Sequence, residues 1–143
     1  MAYSKVGFLA FALSASLLWG VAPIFGKLGL RTADPATALL VRTLGVAVIM
    51  TAWALASGAF SRVAALGWRP VVFLLAEGVL ASLAGHFVYL YALKLAEAGR
   101  VVPVAATYPL FTVAVAAVFL GESLTWQKVL GALLVAAGVW LLK

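Results

Sequence analysis

The chain has 143 residues, of which 66% are hydrophobic and 10% charged. A soluble domain is nearer half apolar and a quarter charged, so a water-soluble globular fold is excluded and no separate domain fits outside a bilayer. Ten basic residues stand against four acidic ones; placed at membrane borders they answer anionic headgroups, and no nucleic-acid partner is expected. Cysteine is absent, which removes disulfides, thiolate catalysis and cysteine metal sites.

The sequence predicts five membrane-spanning helices, at about 6–28, 35–57, 70–95, 100–120 and 125–142. The first lacks a small-residue cleavage site after a short apolar run, so it is expected to be a retained span and not a signal peptide. Gly20, Pro23 and Gly26 loosen its second half. Trp19, Pro23 and Lys27 recur every four residues and share a face. That face either packs on a neighbour, with Lys27 snorkelling to the interface, or lines a cavity.

Asp34-Pro35 reads as the N-cap and first residue of the second helix, and Gly58 as its C-terminal cap. Arg42 lies two turns inside, roughly 12 Å deep. An arginine at that depth is expensive against lipid. Its readings are an ion pair, snorkelling, or contact with substrate. Residues 60–69 form the longest expected loop, with Arg62, Trp68 and Arg69 at an interface.

The third span carries Glu77 and His86, both ionisable and both well inside the apolar length. Nine residues apart at 100° per residue, they fall on opposite faces of an ideal helix. Gly78, Ser82, Gly85 and Tyr89 make a small-residue face bordered by His86. Glu77 needs a partner on another helix, or a proton. His86 is either a hydrogen-bonded packing residue, a ligand contact or a proton carrier.

Gly99 is expected to break the chain before the fourth span. That span has no charge from 101 to 121 and contains Pro103 and Pro109. Each proline removes a donor and presses on the carbonyl one turn back, so a kinked helix facing protein or a polar lumen is expected. Tyr108, Pro109 and Thr112 are cavity candidates there. Glu122 lies in the turn that follows and is read as structural, with Ser123 or Thr125 capping the last helix. Gly131 and Gly138, with Ala132 and Ala136, form a packing stripe.

Five spans put the termini on opposite sides. Lys5, Arg62, Arg69 and Lys128 then share one side. Lys27, Arg31, Lys94, Arg100 and Lys143 share the other, joined by Arg42 if it snorkels. The near balance fixes orientation weakly. Pairing with an inverted copy, or with a separate inverted five-helix partner, follows the inverted-repeat logic of secondary transporters.

Several phrases resemble the EamA domain of the drug/metabolite transporter superfamily. They are Leu18-Trp19-Gly20 with Lys27; Arg42; Tyr91-Ala92-Leu93-Lys94 with Ala98-Gly99; Pro109-Leu110-Phe111-Thr112; Gly121-Glu122-Ser123-Leu124; and Gly131-Ala132-Leu133-Leu134 with Ala137-Gly138. Their order and spacing cover nearly the whole chain. The resemblance implies an all-α membrane protein, half of a ten-helix inverted-repeat transporter, in a prokaryotic inner membrane. Four helices of each half surround a central cavity and the fifth is peripheral. It also implies a secondary transporter, with no cofactor, that exports a small metabolite such as an amino acid from an antiparallel dimer.

Cavity candidates are then Trp19, Pro23, Arg42, His86, Tyr89, Tyr108, Pro109 and Thr112, and proton-coupling candidates are Glu77 and His86. The resemblance supplies no universal functional residue. Two alternatives stand beside it. The first is cation or multidrug efflux, as in small four-helix relatives that use an acid in the first helix; this first helix has none. The second is a non-transporting subunit of a heteromeric complex. No enzyme is expected, since no nucleophile–base constellation, metal-ligand cluster or phosphate loop is present.

Overall fold

The structure, a computed structural model, describes residues 5 to 141, with side chains from Gly7 to Leu141. Leu142, Lys143 and the Lys5 side chain, which entered the expectations above, lie outside the described residues. The fold is all-α, with four long apolar helices and a shorter fifth. The elements are α1 (Lys5–Gly29), α2 (Pro35–Ser57), α3 (Ala59–Ala64), α4 (Trp68–Glu77), a π-helical segment (Gly78–Gly85), α5 (His86–Leu95), α6 (Ala98–Ala105), α7 (Tyr108–Phe119) and α8 (Trp126–Trp140). Phe25–Leu95 form one compact unit; the chain up to Ile24 and from Ala96 forms the other.

In the Phe25–Leu95 unit, Asp34 caps α2. Its carboxylate accepts from the Ala36 and Thr37 amides at 2.9 and 3.0 Å and from Thr37 Oγ1 at 2.6 Å. Pro35 follows at the first position, where no amide donor is needed. Gly58 ends the helix with φ 65°, returning its amide to the Ala54 carbonyl. The expected loop at 60–69 is partly helical. Ser61 Oγ donates to the Gly58 carbonyl at 2.7 Å and Arg62 to the Ser57 carbonyl at 3.1 Å, so α3 is held by local polar bonds that no hydrophobic period announces.

The third span begins at Trp68, with Arg69 over the Trp68 ring at 5.5 Å. Pro70 sits in the first turn, where its missing amide costs nothing. The span then widens. From Gly78 to Gly85 the backbone is π-helical, bonding five residues back, as from the His86 amide to the Ala81 carbonyl. Such segments are rare and need local tolerance. Gly85 supplies it: a Cβ there would stand 2.9 Å from the Leu80 carbonyl oxygen, a backbone atom that cannot swing aside.

The ends of this unit are tied by two lysines. Lys27 Nζ donates to the Leu93 carbonyl at 2.6 Å. Lys94 Nζ donates to the Leu30 carbonyl and, at 3.0 Å, to that of Ala33. Lys27 thus serves a carbonyl near the end of α5. Beneath the tie Leu93 is fully buried, and Gly26 approaches it so closely that a Cβ would lie 3.3 Å from Leu93 Cδ2. From there α2 and α5 pack on each other. The contact stripe of α2 holds Pro35 and Leu39, and that of α5 holds Leu93 and Leu90.

In the other unit, α1 is continuous through Pro23. The chain breaks at Ala96–Glu97, and Gly99 lies inside the first turn of α6 rather than breaking it. The fourth span is broken rather than kinked. The turn at Ala106–Thr107 separates α6 from α7, because Pro109 has no amide to continue the ladder. Within the turn Thr107 Oγ1 donates to the Val104 carbonyl at 2.8 Å, and the Ala106 amide to the Val102 carbonyl at 2.8 Å. Thr125, not Ser123, caps α8, accepting from the Lys128 amide at 3.4 Å. The α8 helix packs on α7 and buries Ala132, but Gly131 and Gly138 meet nothing within 4 Å of an added Cβ. They do not form a packing stripe within this chain.

Three outcomes are expected. Lys94→Met, measured by thermal unfolding in detergent, loses on the order of 2 kcal/mol, since charge-assisted bonds to carbonyls are lost; an unchanged midpoint would show the tie to be idle. Gly85→Ala costs roughly 1–3 kcal/mol of stability through overpacking and lowers the midpoint accordingly, while Gly78→Ala, which meets open space, leaves it nearly unchanged; equal effects would refute the role of Gly85. The Asp34 carboxyl is held below its usual 3.8, first by the Thr37 hydroxyl and then by the Thr37 amide. Its folded value being depressed, its stabilisation is whole above pH 3.8 and is lost as pH falls towards that lowered value. The midpoint gap between wild type and Asp34→Ala should therefore narrow only below about pH 4.

Candidate functional site

The candidate residues divide between the two units. Arg42, Glu77, His86 and Tyr89 belong to Phe25–Leu95, and Trp19, Pro23, Tyr108, Pro109 and Thr112 to the other.

The Phe25–Leu95 set is ordered by the lysine tie. Lys94 reaches the carbonyls just before Pro35, so the end of α5 lies beside the start of α2. Counting inward at 1.5 Å per residue, Arg42 is roughly 10 Å along α2 and His86 roughly 12 Å back along α5. They meet at one depth. They also lie in line with the buried residues of their own helices: Arg42 follows Pro35 and Leu39 at helical spacing, and His86 precedes Leu90 and Leu93. Arg42 and His86 are near enough to interact electrostatically. The Tyr89 ring lies 5.6 Å from the His86 ring, tilted by 43°. His86 and Tyr89 are half-buried and Arg42 is exposed, so the stripe opens where it turns polar.

Glu77 is not part of this group. It stands at the far end of the π segment and is exposed. The ideal-helix face rule does not carry across the segment that separates it from His86, because bonds closing five residues back widen each turn. Sequence periodicity carries no mark of this change, except that glycines bound the segment.

In the other unit Trp19 and Tyr108 are exposed and Pro23 is buried. Tyr108 and Pro109 open α7, and Thr112 Oγ1 returns to the Tyr108 carbonyl at 3.2 Å, which occupies its proton locally. Glu122 sits in a turn shaped by Gly121 at φ 65°. Its carboxylate pairs with Lys128 Nζ at 3.1 Å and its amide donates to the Ala116 carbonyl. The pair is exposed and screened, and acts as a local tie.

Lys27 and Lys94 were absent from the candidate list, although both lie in phrases that carry the family resemblance. Their spacing along the chain, 66 and 64 residues from their acceptors, hides the pairing from any local pattern. Among the described residues no three metal-ligating side chains converge.

The chain matches the EamA-like transporter family over residues 7–143. It is similar to a Sinorhizobium sp protein described as the uncharacterized transporter in the cobO 3' region, with 30% identity over 132 residues, covering 92% of this chain and 93% of the relative. No solved structure matches it. A match of this extent, on a chain built of apolar membrane-length helices, places the protein in the EamA-like transporter family: it is a multi-pass integral membrane transporter and not an enzyme.

Proposed function

We propose that the protein is a secondary transporter that exports a small metabolite such as an amino acid, working as an antiparallel dimer with alternating access to a central cavity. The observation that carries this reading is the near-even sorting of basic residues across five spans, which leaves orientation weakly fixed. A pair of inverted five-helix halves then supplies the ten-helix inverted repeat on which such transporters are built. The Arg42, His86 and Tyr89 group furnishes polar chemistry for a solute at depth on one helix pair. The broken fourth span, with Tyr108, Pro109 and Thr112, supplies a wall whose backbone is already interrupted. Gly131 and Gly138, open within the chain, offer a surface for assembly in this reading.

The homodimer is tested in intact cells by labelling a cysteine introduced at each terminus with an impermeant reagent. Each terminus should be reached from both sides of the membrane. Labelling of each from one side only would remove the antiparallel homodimer and leave a separate inverted partner. For coupling, counterflow in proteoliposomes under a proton gradient should be lost in His86→Ala and retained in Glu77→Gln if His86 is the proton carrier; unchanged transport by His86→Ala would take it out of the mechanism.

A further inference from the structure

We infer that Arg42, His86 and Tyr89 form a subsite for an oxyanion, so that the ligand held at this depth of the membrane carries a carboxylate or a phosphate. The inference rests on the cavity reading above and adds to it the charge of what the cavity takes.

The geometry comes from the tie at the helix ends. Lys94 ties the end of α5 to the chain just before α2, and α2 packs on α5. Arg42 and His86 stand at one depth of that helix pair, near enough to interact electrostatically, and the Tyr89 ring lies 5.6 Å from that of His86.

The charge balance comes from where the four acidic residues are. Asp34 is engaged at the N-cap of α2, at the membrane border. Glu77 lies across the whole π segment from His86, nine residues and on the order of two turns further along the span. Glu97 precedes α6, beyond the end of α5, and Glu122 pairs with Lys128. Among the described residues Arg42 therefore has no carboxylate partner, and the described residues include every acid in the chain. A guanidinium at this depth is among the costliest side chains to leave uncompensated. Its planar fork matches the two oxygens of a carboxylate or phosphate. The His86 imidazole and the Tyr89 hydroxyl add donors from the facing helix. Nothing at this level offers a negative charge to a cation.

Two sources have this chemistry, a soluble anionic solute and the phosphate of a lipid headgroup drawn in from the border. Both are met by measuring the thermal midpoint of the purified full-length protein in detergent at fixed ionic strength. The probes are sodium acetate, sodium phosphate, tetramethylammonium chloride and mixed micelles of phosphatidylglycerol. Ligand bound to the native state raises the midpoint saturably. Acetate or phosphate should do so, tetramethylammonium should not, and the shift should vanish in Arg42→Gln and shrink in Tyr89→Phe. A shift with phosphatidylglycerol alone that Arg42→Gln abolishes supports the oxyanion subsite and assigns it to lipid. If Arg42→Gln does not fold, Tyr89→Phe and His86→Gln carry the comparison, each expected to weaken anion binding at least threefold. Stabilisation by tetramethylammonium, or anion shifts of equal size in wild type and variants, would overturn the inference. This readout needs neither transport nor a known dimer orientation, so its failure and that of the exporter reading are seen separately.

Discussion

The ends of helices are where a membrane protein is most exposed to error, because the last carbonyls have no partner in the helix and water is scarce nearby. Here two lysines meet that demand reciprocally. Lys27, from the end of α1, serves a carbonyl at the end of α5, and Lys94, from the end of α5, serves two carbonyls just after α1. An ammonium near a helix C-terminus also opposes the local negative dipole. The tie closes over Leu93 and needs Gly26 to be small. It sets the register of α5 on α2, and with it the meeting of Arg42 and His86. A substitution at either lysine therefore reaches the polar group two turns away without touching it.

Beyond the tie, two of the spans depart from ideal α-helix, in different ways. The third keeps its hydrogen-bond ladder but widens it between Gly78 and Gly85. The fourth gives the ladder up at Ala106–Thr107, where Thr107 and short-range amide bonds serve the Val102 and Val104 carbonyls. Pairing backbone polar groups locally is what lipid demands at membrane depth. The two departures also place the irregular backbone beside His86 in one case and Tyr108 and Pro109 in the other. Irregular backbone at depth is tolerated where protein or a cavity surrounds it, which is why these stretches, and not the regular α2, are the places to look for movement.

The spans, the Asp34 cap, the Gly58 stop and the family were legible from composition and local pattern, because each is dictated by neighbours within a turn or two. The tie was not, since its partners are more than sixty residues apart and both lysines passed for ordinary border charges. The π segment was not, because the face rule assumes a constant 100° per residue and only the bounding Gly78 and Gly85 mark the change. Helix α3 escaped notice because six residues held by Ser61 and Arg62 have no period to read. Gly131 and Gly138 show the limit of the small-residue rule: spacing permits close packing without naming the partner, and within this chain only Ala132 on that helix is buried. Of the candidate site, the residue types were legible and their grouping was not, because grouping depends on the register that the lysines impose.

The tie also bears on orientation. The positive-inside bias acts on basic residues that prefer the cytoplasmic border with its anionic lipid. Lys27 and Lys94 are bonded to carbonyls of their own chain, so much of what a headgroup would give them is already supplied, at either border. Their weight in the count is reduced. What remains is Lys5, Arg62, Arg69 and Lys128 on one side against Arg31, Arg100 and Lys143 on the other, joined by Arg42 if it snorkels. Four against three is as slight a bias as the raw four against five, and it points the other way. In the antiparallel reading proposed above, a count this even is the condition under which one sequence supplies both halves of an inverted pair.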